Sequence, residues 1–165
     1  MEKKTYKNEM NYKYDAKHPV AHYYLNEYGV YRSRGEMIES IIKTHYGLFT
    51  IVNKNTSWKN GSDIESMKAS VKSARACIGR NFDGIEDPNK QLRYYFKNVA
   101  SDMFIWGIWD EKVEMMTEYR MNKKEFGAFV RLFTYYTSDS KMKCKAIRFR
   151  GNTKKMRKWL EDQCI

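Results

Sequence analysis

Apolar residues at helical spacing, together with capping residues, predict five helices. In residues 35–47, Met37, Ile38 and Ile41 fall on one stripe with Ile42. His45 falls on the same face, where a lone histidine is more typical of a packed core residue than of a metal ligand. The other four helices are predicted at 18–29, from Asp87-Pro88 through "NKQLRYYFKNVAS", from the Asn122/Glu125 capping box through "KKEFGAFVRLFTYY", and at the C-terminus, where Met156, Trp159, Leu160 and Cys164 share a face.

Short apolar or alternating runs predict strands between these helices. They lie at "LFTIVN" (48–53), around 69–78, at "DMFIWGIWD" (102–110), at "KVEMMTEYRM" (112–121) and over 141–150. In the last run the lysines take odd positions up to 145 and the arginines even positions from 148, which predicts a bulge or a strand end. This order of elements predicts a mixed α/β (α+β) fold with a central mixed sheet flanked by helices.

The domain organisation follows from the polar ends of the chain. The opening 17 residues are polar and lack periodicity, so residues 1–17 are predicted to be a basic N-terminal arm. The length of 165 residues suits one domain, predicted over 18–165 and ending in a basic strand and helix at 141–165.

The net charge of the chain indicates a class of partner. It is +11, from 31 Lys and Arg against 20 Asp and Glu, and a basic surface attracts polyanions, chiefly nucleic acid or anionic membrane. A solvated edge strand, whose lysines discourage aggregation, is the alternative for the C-terminal part of this charge. The candidate nucleic-acid-binding residues form a run with no acid between them, namely Lys141, Lys143, Lys145, Arg148, Arg150, Lys154, Lys155, Arg157 and Lys158.

Several other classes of protein are excluded by what the sequence lacks. No apolar run approaches the ~20 residues of a membrane-spanning helix, and the basic N-terminus has no apolar stretch behind it, so neither membrane insertion nor secretion is expected. Cys77, Cys144 and Cys164 are odd in number and form no C-x-x-C pair, which argues against a disulfide framework and for a cytoplasmic protein.

One set of residues has the chemistry of metal-dependent phosphodiester cleavage. Glu39 lies on the predicted helix 35–47, Asp63 follows a polar loop, and Lys72 lies on the next strand. Two or three carboxylates can hold Mg²⁺, and a lysine beside the attacked phosphate stabilises developing charge. Asp63 and Glu65 are two residues apart and would face one side of a strand. The alternative is an ordinary exposed hairpin.

The order of these residues resembles the PD-(D/E)-x-K nuclease superfamily, in its Holliday-junction-resolvase-like branch. The resemblance covers about residues 34–110. It implies a restriction-endonuclease-like fold, DNA cleavage with Mg²⁺ held by Glu39 and Asp63, Lys72 at the phosphate, and action as a homodimer. The motifs that carry it are Gly35-x-x-x-Glu39 followed by Ile42 and Tyr46, then Gly61-Ser62-Asp63-Ile64, then Ala69-Ser70-Val71-Lys72-Ser73.

The chain departs from the family pattern at one position. Ser70 stands where the family has its second carboxylate, and a serine hydroxyl is a poor Mg²⁺ ligand. Either Glu65 replaces that carboxylate as a migrated ligand, or the site is incomplete.

Three interpretations therefore remain open. The chain is a Mg²⁺-dependent endonuclease, or a DNA-binding accessory or regulatory protein of a phage or mobile element that does not cleave. Interference with a host defence nuclease is one such role. In the third interpretation the chain docks on an acidic partner protein. A steep loss of affinity with salt would favour nucleic acid.

Overall fold

The computed structural model describes residues 1–17, 29–46, 63–64, 67–80, 87–139 and 144–165. The predicted strand 48–53 and all of the predicted helix 18–29 except Gly29 lie outside these residues. The described helices are α1 (Arg34–His45), α2 (Pro88–Asn98), α3 (Lys123–Phe133) and α4 (Lys154–Gln163). The described strands are β1 (Glu2–Lys7), β2 (Lys13–Tyr14), β3 (Val30–Tyr31), β4 (Ala69–Ser73), β5 (Cys77–Arg80), β6 (Met103–Asp110), β7 (Met115–Asn122), β8 (Thr134–Asp139) and β9 (Cys144–Phe149).

The main sheet has the strand order β1-β7-β6-β4, with β4 parallel to β6 and the other pairs antiparallel. Alternation along β6 sends Ile105 to one face and Phe104 and Trp106 to the other. Helix α1 covers the first face with Met37 and Ile42, while α2, α3 and α4 cover the second. The protein is thus a single mixed α/β domain with a mixed sheet between helices, as the pattern predicts.

Local capping explains where three helices begin. Asp87 accepts from the backbone N–H groups of Asn89 and Lys90 at 2.8 and 3.3 Å, with Pro88 in the first turn. The capping box of Asn122 and Glu125 is confirmed in both directions. Thr153 accepts from Met156 N–H at the start of α4. None of the helices in the described ranges is long and apolar enough to cross a membrane.

Two predicted elements are wrong in extent. The strand expected around 69–78 is broken by a turn at Arg75, whose φ of 67° lies in the left-handed region, so β4 and β5 join different sheets. The helix expected through Tyr136 ends at Phe133, because the following Thr134–Asp139 segment forms β8. Threonine and tyrosine favour strands, and that preference is expressed once the strand has β9 as a partner.

The second sheet contains the three strands β5-β9-β8, all antiparallel. Its irregularity lies on β5, between Cys77 and Gly79, and β9 pairs regularly with β8. The change of phase in the basic run therefore does not mark a bulge in β9. Ile147 and Phe149 pack into the core with Met156 and Leu160 of α4, so β9 and α4 share one hydrophobic cluster.

The N-terminal segment predicted as an arm is docked on the domain. Strand β1 forms the edge of the main sheet, pairing from Glu2 with Arg120 to Lys7 with Met115. The terminal amino group lies 3.2 Å from the Glu125 carboxylate. The sequence does not predict this strand because its residues are mostly polar. An edge strand pairs with one neighbour and need not bury its side chains.

A buried carboxylate anchors β1 to β7 and α1. Glu118 is fully buried, and it accepts hydrogen bonds from Tyr6 Oη at 2.8 Å, from Arg120 Nε at 3.2 Å and from Tyr46 Oη. Arg120 also donates to Tyr46 Oη. The polar cluster formed by Tyr6, Tyr46, Glu118 and Arg120 satisfies its own charge within the fold.

His45 lies outside the core, contrary to the sequence-based expectation. Its side chain is exposed, and its ring stacks on Tyr6 with the centroids 3.6 Å apart. The apolar stripe predicts on which side of α1 His45 lies. It does not predict that His45 falls in the last turn of α1, beyond the side chains that pack against the sheet.

Candidate functional site

Asp63 is held against the start of β4. Its backbone N–H donates to Ala69 O at 2.8 Å, and Ile64 forms an antiparallel bridge with Ala69. Its carboxylate Oδ2 accepts from Val71 N–H at 2.7 Å and from Ser70 Oγ at 3.4 Å. Neither hydrogen bond uses Oδ1. The side chain is therefore fixed along β4 and keeps one carboxylate oxygen outside these contacts.

Ser70 occupies the position where the nuclease pattern has a second carboxylate. It is buried, and it lies in register with Phe104 of β6, on the face covered by α2. Its hydroxyl donates to Asp63 Oδ2. Burial raises the pKa of Tyr95 on α2 above its ordinary value, and the Asp63 carboxylate raises it further, so Tyr95 stays a neutral phenol. The Ser70 hydroxyl lowers the pKa of Tyr95 by a smaller amount.

Glu39 lies on α1, the helix that covers the opposite face of the main sheet. Its Oε1 lies 2.7 Å from Lys43 Nζ, and 28% of the Glu39 side chain is exposed. Burial raises the pKa of Glu39, the Asp63 carboxylate raises it further, and Lys43 and Lys72 lower it. Asp63 and Lys72 therefore both influence the ionisation of Glu39. These three residues, with Ser70 and Tyr95, are called the β4 site below.

This arrangement predicts how the pKa of Glu39 responds to its neighbour. Asp63→Asn keeps an acceptor for Val71 N–H but removes the negative charge, so the pKa of Glu39 is expected to fall relative to the wild type. Carboxyl carbon chemical shifts followed by NMR over a pH titration measure this change directly.

The matched control for that titration is Asp102→Asn, which removes a carboxylate outside the β4 site and should leave Glu39 unchanged. Because the raised pKa favours the protonated form in the folded state, the contribution of Glu39 to stability should fall as pH rises through the ordinary carboxyl range. An unchanged pKa of Glu39 in Asp63→Asn would show that the two carboxylates do not interact. It would contradict their assignment to one site.

Glu39 and Asp63 are the residues of the β4 site that could hold Mg²⁺. This ion keeps several waters and can be bound through one or two carboxylates, which Glu39 and Asp63 supply. Glu65, the candidate migrated ligand, lies outside the described residues, and no group of three His, Cys, Asp or Glu among the described residues converges on a common point. Ser70 contributes a hydroxyl that Asp63 already engages.

The basic C-terminal segment lies on β9 and α4, and Lys141 and Lys143 lie outside the described residues. Arg148 is half-buried and donates to Arg75 O at 2.7 Å. Arg150 is exposed and its guanidinium stacks over Tyr135, 5.0 Å from the ring centroid. The remaining cations are exposed, namely Lys145, Lys154, Lys155, Arg157 and Lys158.

Helix α4 shows why its cations face water. Met156 and Leu160 are fully buried, and Trp159 stacks on Phe129 of α3 with the centroids 5.6 Å apart. The basic residues take the other positions. Lys158 pairs with Asp162 at 2.9 Å, while Arg157 Nε donates to the Asn152 carbonyl at 3.3 Å.

Two groups of residues were not found from the sequence. Tyr95 looks like an ordinary apolar-face residue of α2, and nothing in the sequence places it beside Ser70. The exposed cations of α2 and α3 had one weak indicator in the sequence, which is that no acidic residue occurs between Pro88 and Asn98. Their proximity depends on the packing of the two helices.

Comparison of the chain with protein-family models, with curated proteins and with solved structures finds no match.

Proposed function

We propose that this protein binds nucleic acid through its phosphate backbone. The observation that carries the proposal is the exposed basic face of α4 beside β9. Of the four cations of α4, only Lys158 has a carboxylate partner within the described part of the chain. Phosphate contacts supply most of the affinity of sequence-independent nucleic-acid binding, and they need mobile, exposed cations of this kind.

Arg150, a cation of the basic C-terminal segment, lies over the ring of Tyr135 on β8, and Tyr135 is 36% exposed. Rings and guanidinium planes next to phosphate-binding cations are typical of surfaces on which bases stack. An exposed ring beside an exposed guanidinium therefore suits a partner that carries both phosphates and bases.

The test of this function is a fluorescence anisotropy titration with labelled duplex and single-stranded DNA. At low salt we expect saturable binding with a Kd on the order of 10⁻⁶ M or tighter. An acidic polypeptide of similar charge, such as poly-glutamate, serves as the competitor. Failure of both DNAs to bind, or displacement by poly-glutamate as effective as by DNA, would contradict the proposal.

A second candidate function is Mg²⁺-dependent cleavage at the β4 site in a restriction-endonuclease-like fold. The observation that favours it is the fixed position of Asp63, whose Oδ2 accepts from Val71 N–H at 2.7 Å, together with the effect of that carboxylate on the pKa of Glu39. A pair of carboxylates suits a divalent cation. Helix α1, the parallel pair of β4 and β6, and α2 between them in sequence suit the core that the resemblance implies.

In this second function the chain's own residues would have distinct tasks. Glu39 and Asp63 would hold the ion, which when bound polarises the phosphoryl group and lowers the pKa of a bound water. Lys72 would stabilise the charge that develops on the attacked phosphate. Hydrogen bonds from Val71 and Ser70 would keep Asp63 oriented.

Cleavage is tested on supercoiled plasmid with Mg²⁺. If the wild type nicks the plasmid, Asp63→Asn is expected to abolish nicking while DNA affinity changes little. Lys72→Met should reduce the rate more than the matched change Lys68→Met, which removes an exposed lysine just before β4. A wild type that binds the plasmid without cutting it would leave binding as the function.

A further inference from the structure

A groove of about 810 Å³ lies between α2 and α3, on the outer side of the helical layer. It has the volume typical of a ligand site. Leu92 and Phe96 of α2 and Gly127 of α3 form its apolar floor. Phe96 packs against Phe126, with the ring centroids 6.0 Å apart, so the floor is continuous with the hydrophobic core.

The rim of this groove is basic along both helices. No carboxylate lines it, because α2 contains no acidic residue and Glu125, in the first turn of α3, is engaged with the terminal amino group and with the N-cap of its own helix. All the rim cations are exposed. They are Arg93 and Lys97 on α2 and Lys123, Lys124 and Arg131 on α3.

Cations above an apolar floor suit a ligand that joins phosphates to flat rings. We propose that the groove binds a short segment of single-stranded nucleic acid, with its phosphates on the rim and a base against Leu92 and Phe96. This inference rests on the proposed nucleic-acid-binding function and narrows it to unpaired strands. In a duplex the bases are stacked inside and cannot reach the floor, whereas an unpaired base can.

Gly127 keeps the groove open. A glycine inside a helix lowers helix stability relative to alanine, so its presence in the middle of α3 has a local cost. A Cβ added at Gly127 would meet no atom within 4 Å, although the residue itself is buried. The fold therefore has room for a side chain at this position, and that room is the groove.

Helix α3, which lines one side of the groove, also packs against α4. Helix α3 contacts α2 through Phe126 and Phe96, and it contacts α4 through Phe129 and Trp159. The cations of α2, α3 and α4 consequently lie on the same side of the main sheet.

The test uses two groove variants that alter different properties. Gly127→Leu fills the floor without changing charge and should leave the melting temperature equal or higher, because leucine is the better helix former. The triple variant Arg93→Gln, Lys97→Gln and Lys124→Gln removes rim charge without filling the floor. Its matched control replaces the exposed lysines Lys7, Lys13 and Lys112 by Gln, which removes the same charge elsewhere.

Binding is measured by anisotropy with a labelled oligothymidylate, with the duplex of the same sequence and with thymidine monophosphate as competitors. Gly127→Leu and the triple groove variant are each expected to weaken oligothymidylate binding about tenfold or more, and the control triple much less. The duplex and the mononucleotide should compete poorly, the second because it offers a single phosphate.

The outcomes separate this inference from the function on which it rests. If both groove variants bind oligothymidylate with wild-type affinity, the groove is not the binding site, although the protein still binds DNA. The same conclusion follows if the protein binds duplex and single strand equally well and Gly127→Leu changes neither affinity. If thymidine monophosphate competes as well as the oligothymidylate, the groove binds a single nucleotide. The proposal that it binds a segment of single-stranded nucleic acid would then be wrong. No DNA binding by the wild type would overturn both.

Discussion

Arg120→Met is expected to lower the free energy of unfolding by about 3 kcal/mol or more. The substitution keeps the volume near the Tyr46 ring but removes the cation that lies 3.2 Å from the fully buried Glu118 carboxylate. Among the described residues Glu118 would then keep the hydrogen bonds of Tyr6 and Tyr46, with His45 and Lys4 as more distant positive groups. Truncating one partner of a buried ion pair is costly because the other charge stays buried without compensation. Urea denaturation of both proteins measures the difference.

The pH dependence of that loss identifies its cause. Burial already raises the pKa of Glu118 in the wild type. A raised folded-state pKa means that the charged form is penalised as pH rises through the ordinary carboxyl range, so the deficit of Arg120→Met should shrink toward acidic pH. Adding Glu118→Gln to Arg120→Met should also restore part of the stability. A deficit that is independent of pH and unchanged in the double variant would attribute the effect to lost packing.

Replacing Lys154, Lys155, Arg157 and Lys158 of α4 together by Gln is expected to weaken DNA binding on the order of 100-fold at low salt. All four side chains are exposed, and Lys158 forms only an exposed ion pair with Asp162, so folding should change little. The loss should be similar for all DNA sequences, because phosphate contacts carry no sequence information. Anisotropy titrations with two unrelated sequences measure both expectations.

The control for α4 removes the same charge from another part of the surface. Lys7, Lys13, Lys17 and Lys112 are exposed, and Lys7 and Lys112 lie near the turn between β6 and β7. Their joint replacement by Gln should weaken binding far less than the α4 variant. Equal losses would mean that net charge, and not the basic face of α4, governs binding.

Much of the fold can be predicted from local signals. Helix α1 follows from its apolar stripe, α2 from Asp87 and Pro88, and α3 from the capping box, since each signal acts within one or two turns. Strands β6 and β7 follow from a buried run and its neighbour. Elements that depend on a distant partner were missed. Strand β1 is polar and forms on β7, and β8 continues a helical pattern until β9 offers it a partner.

The candidate site, like the fold, can be predicted only in part from local signals. The order of Glu39, Asp63 and Lys72 predicts a shared site, and Asp63 and Lys72 influence the pKa of Glu39 in opposite directions. That the three residues work together stays a prediction. The influence of Ser70 on Tyr95 depends on α2 approaching β4, which the sequence does not encode locally. The groove between α2 and α3 likewise depends on the packing of two helices whose starts are 35 residues apart.

The salt dependence of wild-type DNA binding measures how many phosphates the protein neutralises. For single-stranded DNA we expect the logarithm of the affinity to fall linearly with the logarithm of the salt concentration. The expected slope is about −3 or steeper, since each neutralised phosphate contributes about −0.7 and α4 alone offers four cations. A slope near zero, or no measurable binding at low salt, would contradict nucleic-acid recognition by this surface.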